Sequence, residues 1–429
     1  VAVNDRNQPL DCHWLKIRCM GAGNSFNHSD QQEGMRMIRI RLPFQSFKLQ
    51  TGPDVWHNFR CDLAAALIFS LFNVVFNQFY IPMAIRQGAT ELQVGILSAA
   101  PAIGLLFSPL WAPFIQRSDP KPFVVLPNFI GRMLILLPAF LGAPIVYVVT
   151  ALIFHLLMSI QAPAYASLVT RIYPPPQRGR LMANVRVAMV LLMIPMAYLV
   201  GVWLDAAGPG GPLAAAAVTG ALAILVLLRL RESVPEHPAP AGRLTFKGQW
   251  GLVSENRKLR IFLFATTLTG FGNLLATPLY QIVQVNRLEL SDVQIGTARV
   301  VYFVFLLASY FISGRMIDRY SAEQTLVYGI GMCGFIPMLY AAAPGYATVL
   351  IGSGLQGTVD AIWDIGILVF INRIAPGREA VVFGLHLMLF GFRGTVGPLL
   401  STALAATVPL AWLLMAAAVF GWLGAALLP

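Results

Sequence analysis

Twelve apolar segments follow one another from Cys61 to the end of the chain, each long enough to cross a lipid bilayer. Their limits read 61–85, 92–115, 122–142, 144–169, 180–204, 212–230, 259–284, 291–313, 322–343, 345–372, 379–402 and 406–428. Lipid offers no water to an unpaired N–H or C=O. A spanning segment must therefore satisfy its own backbone, and about 20 apolar residues do so as a helix. Only 11% of the 429 residues are charged, against about 25% in a soluble chain. The expected fold class is an all-α membrane protein with twelve transmembrane helices. Pro101, Pro138, Pro163, Pro195 and Pro337 fall inside segments, where membrane helices accommodate them as kinks.

The apolar region is also written twice. Asn73, Asn77 and Tyr80 return 200 residues later as Asn273, Thr277 and Tyr280. Thr90-Glu-Leu-Gln-Val-Gly95 returns as Ser291-Asp-Val-Gln-Ile-Gly296, and Pro176-Gln-Arg178 as Pro376-Gly-Arg378. Whole segments recur in order, so two pseudo-symmetric six-helix bundles are expected. Duplication of this kind is the pattern of secondary transporters.

Lysine and arginine placement sets the orientation. With residue 60 in the cytoplasm, the inner ends and loops from Arg60 onward hold seventeen of these residues, and the outer loops hold two, Arg86 and Arg287. Both termini are thus expected inside a cell membrane. The net charge of +11 then reflects orientation and contact with anionic lipid, not nucleic acid. Four pieces are expected. Residues 1–58 form a polar N-terminal extension without a fixed fold, with Met35 and Met37 as alternative starts. Residues 59–230 and 259–429 are the two bundles. Residues 231–258, with Pro235, Pro238 and Pro240, are a cytoplasmic linker. Cys12, His13, Cys19 and His28 fit no standard metal-site spacing, and Cys61 and Cys333 read as packing residues. No metal or cofactor is expected.

Polar residues inside the segments are costly and so informative. Thr266, Thr269, Asn273, Thr277 and Tyr280 lie on one face of the seventh segment, and Asn73, Asn77 and Tyr80 form the shorter counterpart in the first. Such a stripe faces a wet cavity or glues helices together. Asp360 and Asp364 share a face of the tenth segment, Asp364 about 6 Å nearer the cytoplasm at 1.5 Å per residue. An intramembrane carboxylate either meets an arginine, Arg393 being the nearest candidate in depth, or takes up a proton. Proton or cation coupling is the functional reading and an Asp–Arg pair the structural one. Arg132, Arg186, Arg299 and Arg393 outnumber these carboxylates, which leaves an anionic substrate group open. His155 and His386 read as packing residues or proton relays.

Ser313-Gly314-Arg315-Met316-Ile317-Asp318-Arg319 joins the eighth and ninth segments and resembles the Gly-x-x-x-Asp-Arg loop signature of the major facilitator superfamily. With twelve spans, two parallel halves and a central linker, the resemblance covers roughly residues 60–429. It implies alternating access around a site lined by helices one, four, seven and ten, with helices five, eight and eleven beside it. The signature glycine would let two helices approach, and Asp318 and Arg319 would hold the cytoplasmic gate near Arg178 and Arg180. The first-half copy, Ala112 to Arg117, keeps only Arg117. The proline-glycine signature of drug–proton antiporters is missing around Pro195 and Gly201, which lowers an efflux assignment.

The reading that emerges is a secondary active transporter of a small molecule, coupled to protons or another ion, acting as a monomer among membrane lipids. Asn73, Asn77, Asn273, Tyr280, Arg186 and Arg393 are the substrate-contact candidates. Asp360 and Asp364 are the coupling candidates; Gly314, Asp318, Arg319 and Arg117 form the gate. No nucleotide-binding or catalytic motif is present, so an enzyme is not expected. Efflux of toxic compounds, passive facilitation, a lipid translocase or a non-transporting receptor on the same scaffold are the alternatives.

Overall fold

The computed structural model describes residues 52–115, 118–232, 251, 253–374 and 378–428; the side chains of residues 112, 113, 317, 318, 322, 368, 379 and 380 are not among them. Among the described residues twelve helices are long and apolar enough to cross a membrane. They are α1 (Pro53–Arg86), α2 (Glu91–Ile115), α3 (Pro120–Leu141), α4 (Pro144–Ile172), α5 (Pro175–Ala207) and α6 (Gly210–Leu227) in the first half. The second half holds α7 (Arg257–Arg287), α8 (Asp292–Arg319), α9 (Ala322–Ala342), α10 (Tyr346–Ile374), α11 (Glu379–Ala405) and α12 (Leu410–Leu427). Large apolar side chains point outward, as at Leu110 (62% exposed), Phe140 (80%) and Trp412 (71%), which only a lipid surround makes favourable.

Several boundaries differ from the sequence expectation, each for a local reason. The first helix starts at Pro53, not near Cys61. Proline at its first position loses no bond and Asp54 suits the helix N-terminus, so a polar turn extends the span. Within α3 the helix breaks at Ile135, because Pro138 cannot donate back along the turn. The signature Ser313–Arg319 is not a loop but the last turns of α8. Two π-helical turns, Val74–Phe79 in α1 and Val283–Arg287 in α7, leave no trace in a 3.6-residue pattern.

The two halves pack by the same rules. α1 lies against α5 and α6 as α7 lies against α11 and α12; α4 covers α2 and α3 as α10 covers α8 and α9. Even single bonds repeat. Asn58 Nδ2 donates to the Ile172 carbonyl at the end of α4, and Asn256 Nδ2 to the Ile374 carbonyl at the end of α10. Between the halves, α5 packs on α8 and α2 on α11.

The repeated word Thr-Glu-Leu-Gln-Val-Gly and Ser-Asp-Val-Gln-Ile-Gly has two structural jobs. Thr90 and Gln93, and likewise Ser291 and Gln294, form reciprocal capping boxes that start α2 and α8. The closing glycines let the halves touch. A Cβ on Gly95 would meet Thr402 of α11, and one on Gly296 would lie 2.6 Å from the Ala197 carbonyl of α5.

Candidate functional site

Among the described residues, the polar bonds that join the two halves gather at one end. There Asp205, near the end of α5, accepts the backbone N–H groups of Asp292 and Val293 at 2.8 and 3.0 Å, capping α8 across the interface. Arg86 at the end of α1 meets Asp292 Oδ1 at 3.1 Å and donates to the Leu290 carbonyl. Gly201 of α5 lies directly against the Asp292 carbonyl. At the opposite end Gly179 on α5, Gly314 on α8 and Gly384 on α11 have open space where a Cβ would project. The open end is the one rich in arginine.

The two coupling candidates sit in the second half, facing α8. Gly357 of α10 rests against the Tyr302 carbonyl and the Leu306 nitrogen, which brings the two helices together. Tyr302 Oη donates to Asp360 at 2.9 Å and Gln356 Nε2 donates to it at 2.8 Å. Two turns further along α8, Tyr310 Oη donates to Asp364 at 2.6 Å. Asp364 is exposed, whereas Asp360 is half-buried. Neither carboxylate takes an ion pair among the described residues. The Asp–Arg pair entertained from sequence does not form.

Arg393 points elsewhere. Only 2% exposed, it donates to the Thr266 carbonyl at 2.6 Å and lies over the rings of Phe390 and Trp363, in room left by Gly270. It binds α7 to α11 and is buried in this structure. The α7 stripe divides as well. Thr269 bonds the Gly421 carbonyl of α12, and Thr277 bonds back to Asn273 of its own helix. The Asn273 side chain has no partner among the described residues; the Tyr280 hydroxyl is enclosed without one, its ring 4.6 Å from that of Tyr340. On α1, Asn77 is exposed and donates to Asn73 at 3.1 Å. Arg186 on α5 is exposed, has no partner among the described residues, and lies within Coulombic reach of Tyr165 on α4 and Tyr310 on α8.

Of the gate residues, Gly314 makes no close approach in this state, since a Cβ there would meet nothing within 4 Å. Arg319 is exposed, its guanidinium 5.7 Å from the Tyr320 ring. Arg117, the Asp318 side chain and Cys12, His13, Cys19 and His28 lie outside the described residues.

Three features went unread in the sequence. Asp205 and Asp292 form the latch at the closed end. Asp62 on α1 is buried and accepts Tyr173 Oη at 2.9 Å, with no cationic partner among the described residues. A carboxylate inside an apolar segment was the available signal for Asp62; nothing marked Asp205, whose partners are backbone groups of the other half.

Two repeated six-helix halves, joined where α5 meets α8 and α2 meets α11, carry these polar residues in a membrane scaffold. The family model of the Major Facilitator Superfamily matches residues 63–284 and 262–429, and the chain belongs to that family of transporters; it is not an enzyme. Among solved structures the chain is similar to the nucleoside transporter NupG, both as a point mutant (TM-score 0.70, 14% identity, 86% of this chain and 98% of that one) and without the mutation (0.66, 15%, 86% and 97%). It is also similar to a bacterial homolog of the human lysosomal transporter Spinster in an inward-facing, unoccupied conformation (0.64, 14%, 88% and 96%). At such identities the likeness is one of fold. No curated protein sequence matches the chain.

Proposed function

We propose that this protein is a proton-coupled secondary transporter of a small molecule, working by alternating access in a cell membrane with both termini in the cytoplasm. The supporting observation is the pair Asp360 and Asp364. Both are held by tyrosine hydroxyls and an amide, with no cation among the described residues to break away from. Such a carboxylate gains or loses a proton by rearranging neutral hydrogen bonds alone. Proton binding is thereby a local event on the face where α8 meets α10. Arg186 reaches the same ground from the other half. The inner orientation rests on the arginine-rich open end, which makes this an inward-facing state. Asn73, Asn77, Asn273 and Tyr280 remain the neutral substrate contacts of this reading, with Arg319, Asp318 and Arg117 as the inner gate.

The test is accumulation of a metabolite library into proteoliposomes driven by a pH gradient, read by mass spectrometry. Wild-type protein is expected to concentrate a substrate. Asp360→Asn and Asp364→Asn are each expected to abolish concentration while retaining exchange of labelled for unlabelled substrate. Gradient-driven accumulation that survives both substitutions would remove the coupling role.

A further inference from the structure

Arg299 stands half-buried on α8, one helical turn before Tyr302. Its Nε is enclosed without an acceptor, and none of its N–H groups donates to any described residue. A guanidinium carries five donors and cannot shed its charge. Inside a membrane protein an unpaired cation costs several kcal/mol unless an anion or ordered water meets it. Arg132 shows how this chain treats a merely structural arginine: it donates to the Gly220 carbonyl at 2.7 Å and lies over Phe69 and Phe72. Arg393 follows the same pattern. Arg299 has neither provision.

Its surroundings are hydroxyls and amides. Tyr302 and Tyr340 lie within Coulombic reach of it. Tyr340 accepts Gln284 Nε2 at 2.9 Å and packs on Tyr280, whose hydroxyl has no partner. No carboxylate among the described residues pairs with it. An unpaired charged fork presents donors to one kind of guest, an oxyanion.

We propose that Arg299 anchors an anionic substrate group, a carboxylate or phosphate. This rests on the proposed transport function and gives that site its substrate class. Tyr302 touches Asp360 and neighbours Arg299, so anion and proton would be held one residue apart.

The test is thermal unfolding of purified protein in nanodiscs titrated with inorganic phosphate and with succinate, uridine serving as the neutral control. Ionic strength is held constant with methanesulfonate. At least one of the two anions is expected to raise the melting temperature of wild-type protein by mass action. Arg299→Met is expected to weaken that response about 10- to 100-fold, the range of a charge-assisted hydrogen bond, and Arg299→Lys to fall between. Without anion, Arg299→Met is expected to melt no lower than wild type, since it removes an uncompensated charge. The proposal is overturned by a wild-type response to neither anion, by a response to uridine alone, by an undiminished response in Arg299→Met, or by a variant that melts well below wild type. An undiminished anion response in Arg299→Met, together with loss of gradient-driven accumulation in Asp360→Asn, would remove this proposal and leave the coupling reading standing.

Discussion

Replacing Asp205 by Asn tests what keeps one end of the molecule shut. In the structure this carboxylate accepts two backbone N–H groups from the first turn of α8, at 2.8 and 3.0 Å. Both bonds cross from one half to the other and vanish when that end opens. A charge-assisted hydrogen bond contributes about 1.5–3 kcal/mol when buried. Asp205 is exposed and one of its bonds lies at the surface, so about 1 kcal/mol each is the appropriate figure here. The pair then favours the closed end by about 2 kcal/mol, roughly a 30-fold change in population when lost. Asparagine keeps one acceptor and loses the charge, so Asp205→Ala should show the whole effect and Asp205→Asn most of it. A cysteine at Val200, which shares the α5 face of Ala197, Gly201 and Leu204, reports opening through its rate of reaction with a maleimide. The four native cysteines are first replaced by Ala. Because labelling requires opening, its rate follows the open population and is expected to rise about 30-fold. A rate within a factor of two of the parent in Asp205→Ala would refute the latch.

Other substitutions probe packing and polar pairs. Val at Gly296 would collide with the Ala197 carbonyl, so transport should fall at least tenfold while helical content by circular dichroism holds. Asn58 exchanges hydrogen bonds with Ile172 and with both backbone groups of Arg231. Asn58→Ala should therefore lower unfolding free energy by about 2–3 kcal/mol in a detergent titration, more than Asn256→Ala, which loses fewer. Tyr173→Phe strips Asp62 of its donor and should cost about 1–3 kcal/mol, whereas adding Asp62→Leu to it should restore much of that loss in the same titration.

The helices, their number and the twofold internal repeat were legible because lipid leaves so few solutions: an apolar run of this length has to be a helix, and a repeated run repeats its packing. Gly95 and Gly296 could be picked out as repeated letters, though their use as contact points between halves belongs to three dimensions. Asp360 and Asp364 could be found from burial cost alone. Their partners Tyr302 and Tyr310 could not, since 58 and 54 residues separate them in the chain. Where Arg393 and Thr269 point was not legible, for one reason. Periodicity tells which residues share a face, not whether that face meets water or another helix. Thr269 bonding to α12, and Arg393 bonding to α7, are the dry outcome. The π-helical turn after Asn73 was not legible in the α1 pattern, though Asn73 and Asn77 share a face as read and bond to each other.

The most direct test of proton-coupled alternating access needs no substrate. Spin labels at Ala183 on α5 and Ile312 on α8, both exposed toward the arginine-rich end, measure the distance between the halves by electron–electron double resonance in nanodiscs. The measurement is made at about pH 5 and about pH 8, either side of neutrality, in wild-type protein and in the Asp360→Asn, Asp364→Asn double variant. The expected result is a distance distribution that shifts between the two pH values in wild type and stays fixed in the variant. A wild-type distribution indifferent to pH, or a shift that persists without both carboxylates, would contradict proton coupling through Asp360 and Asp364.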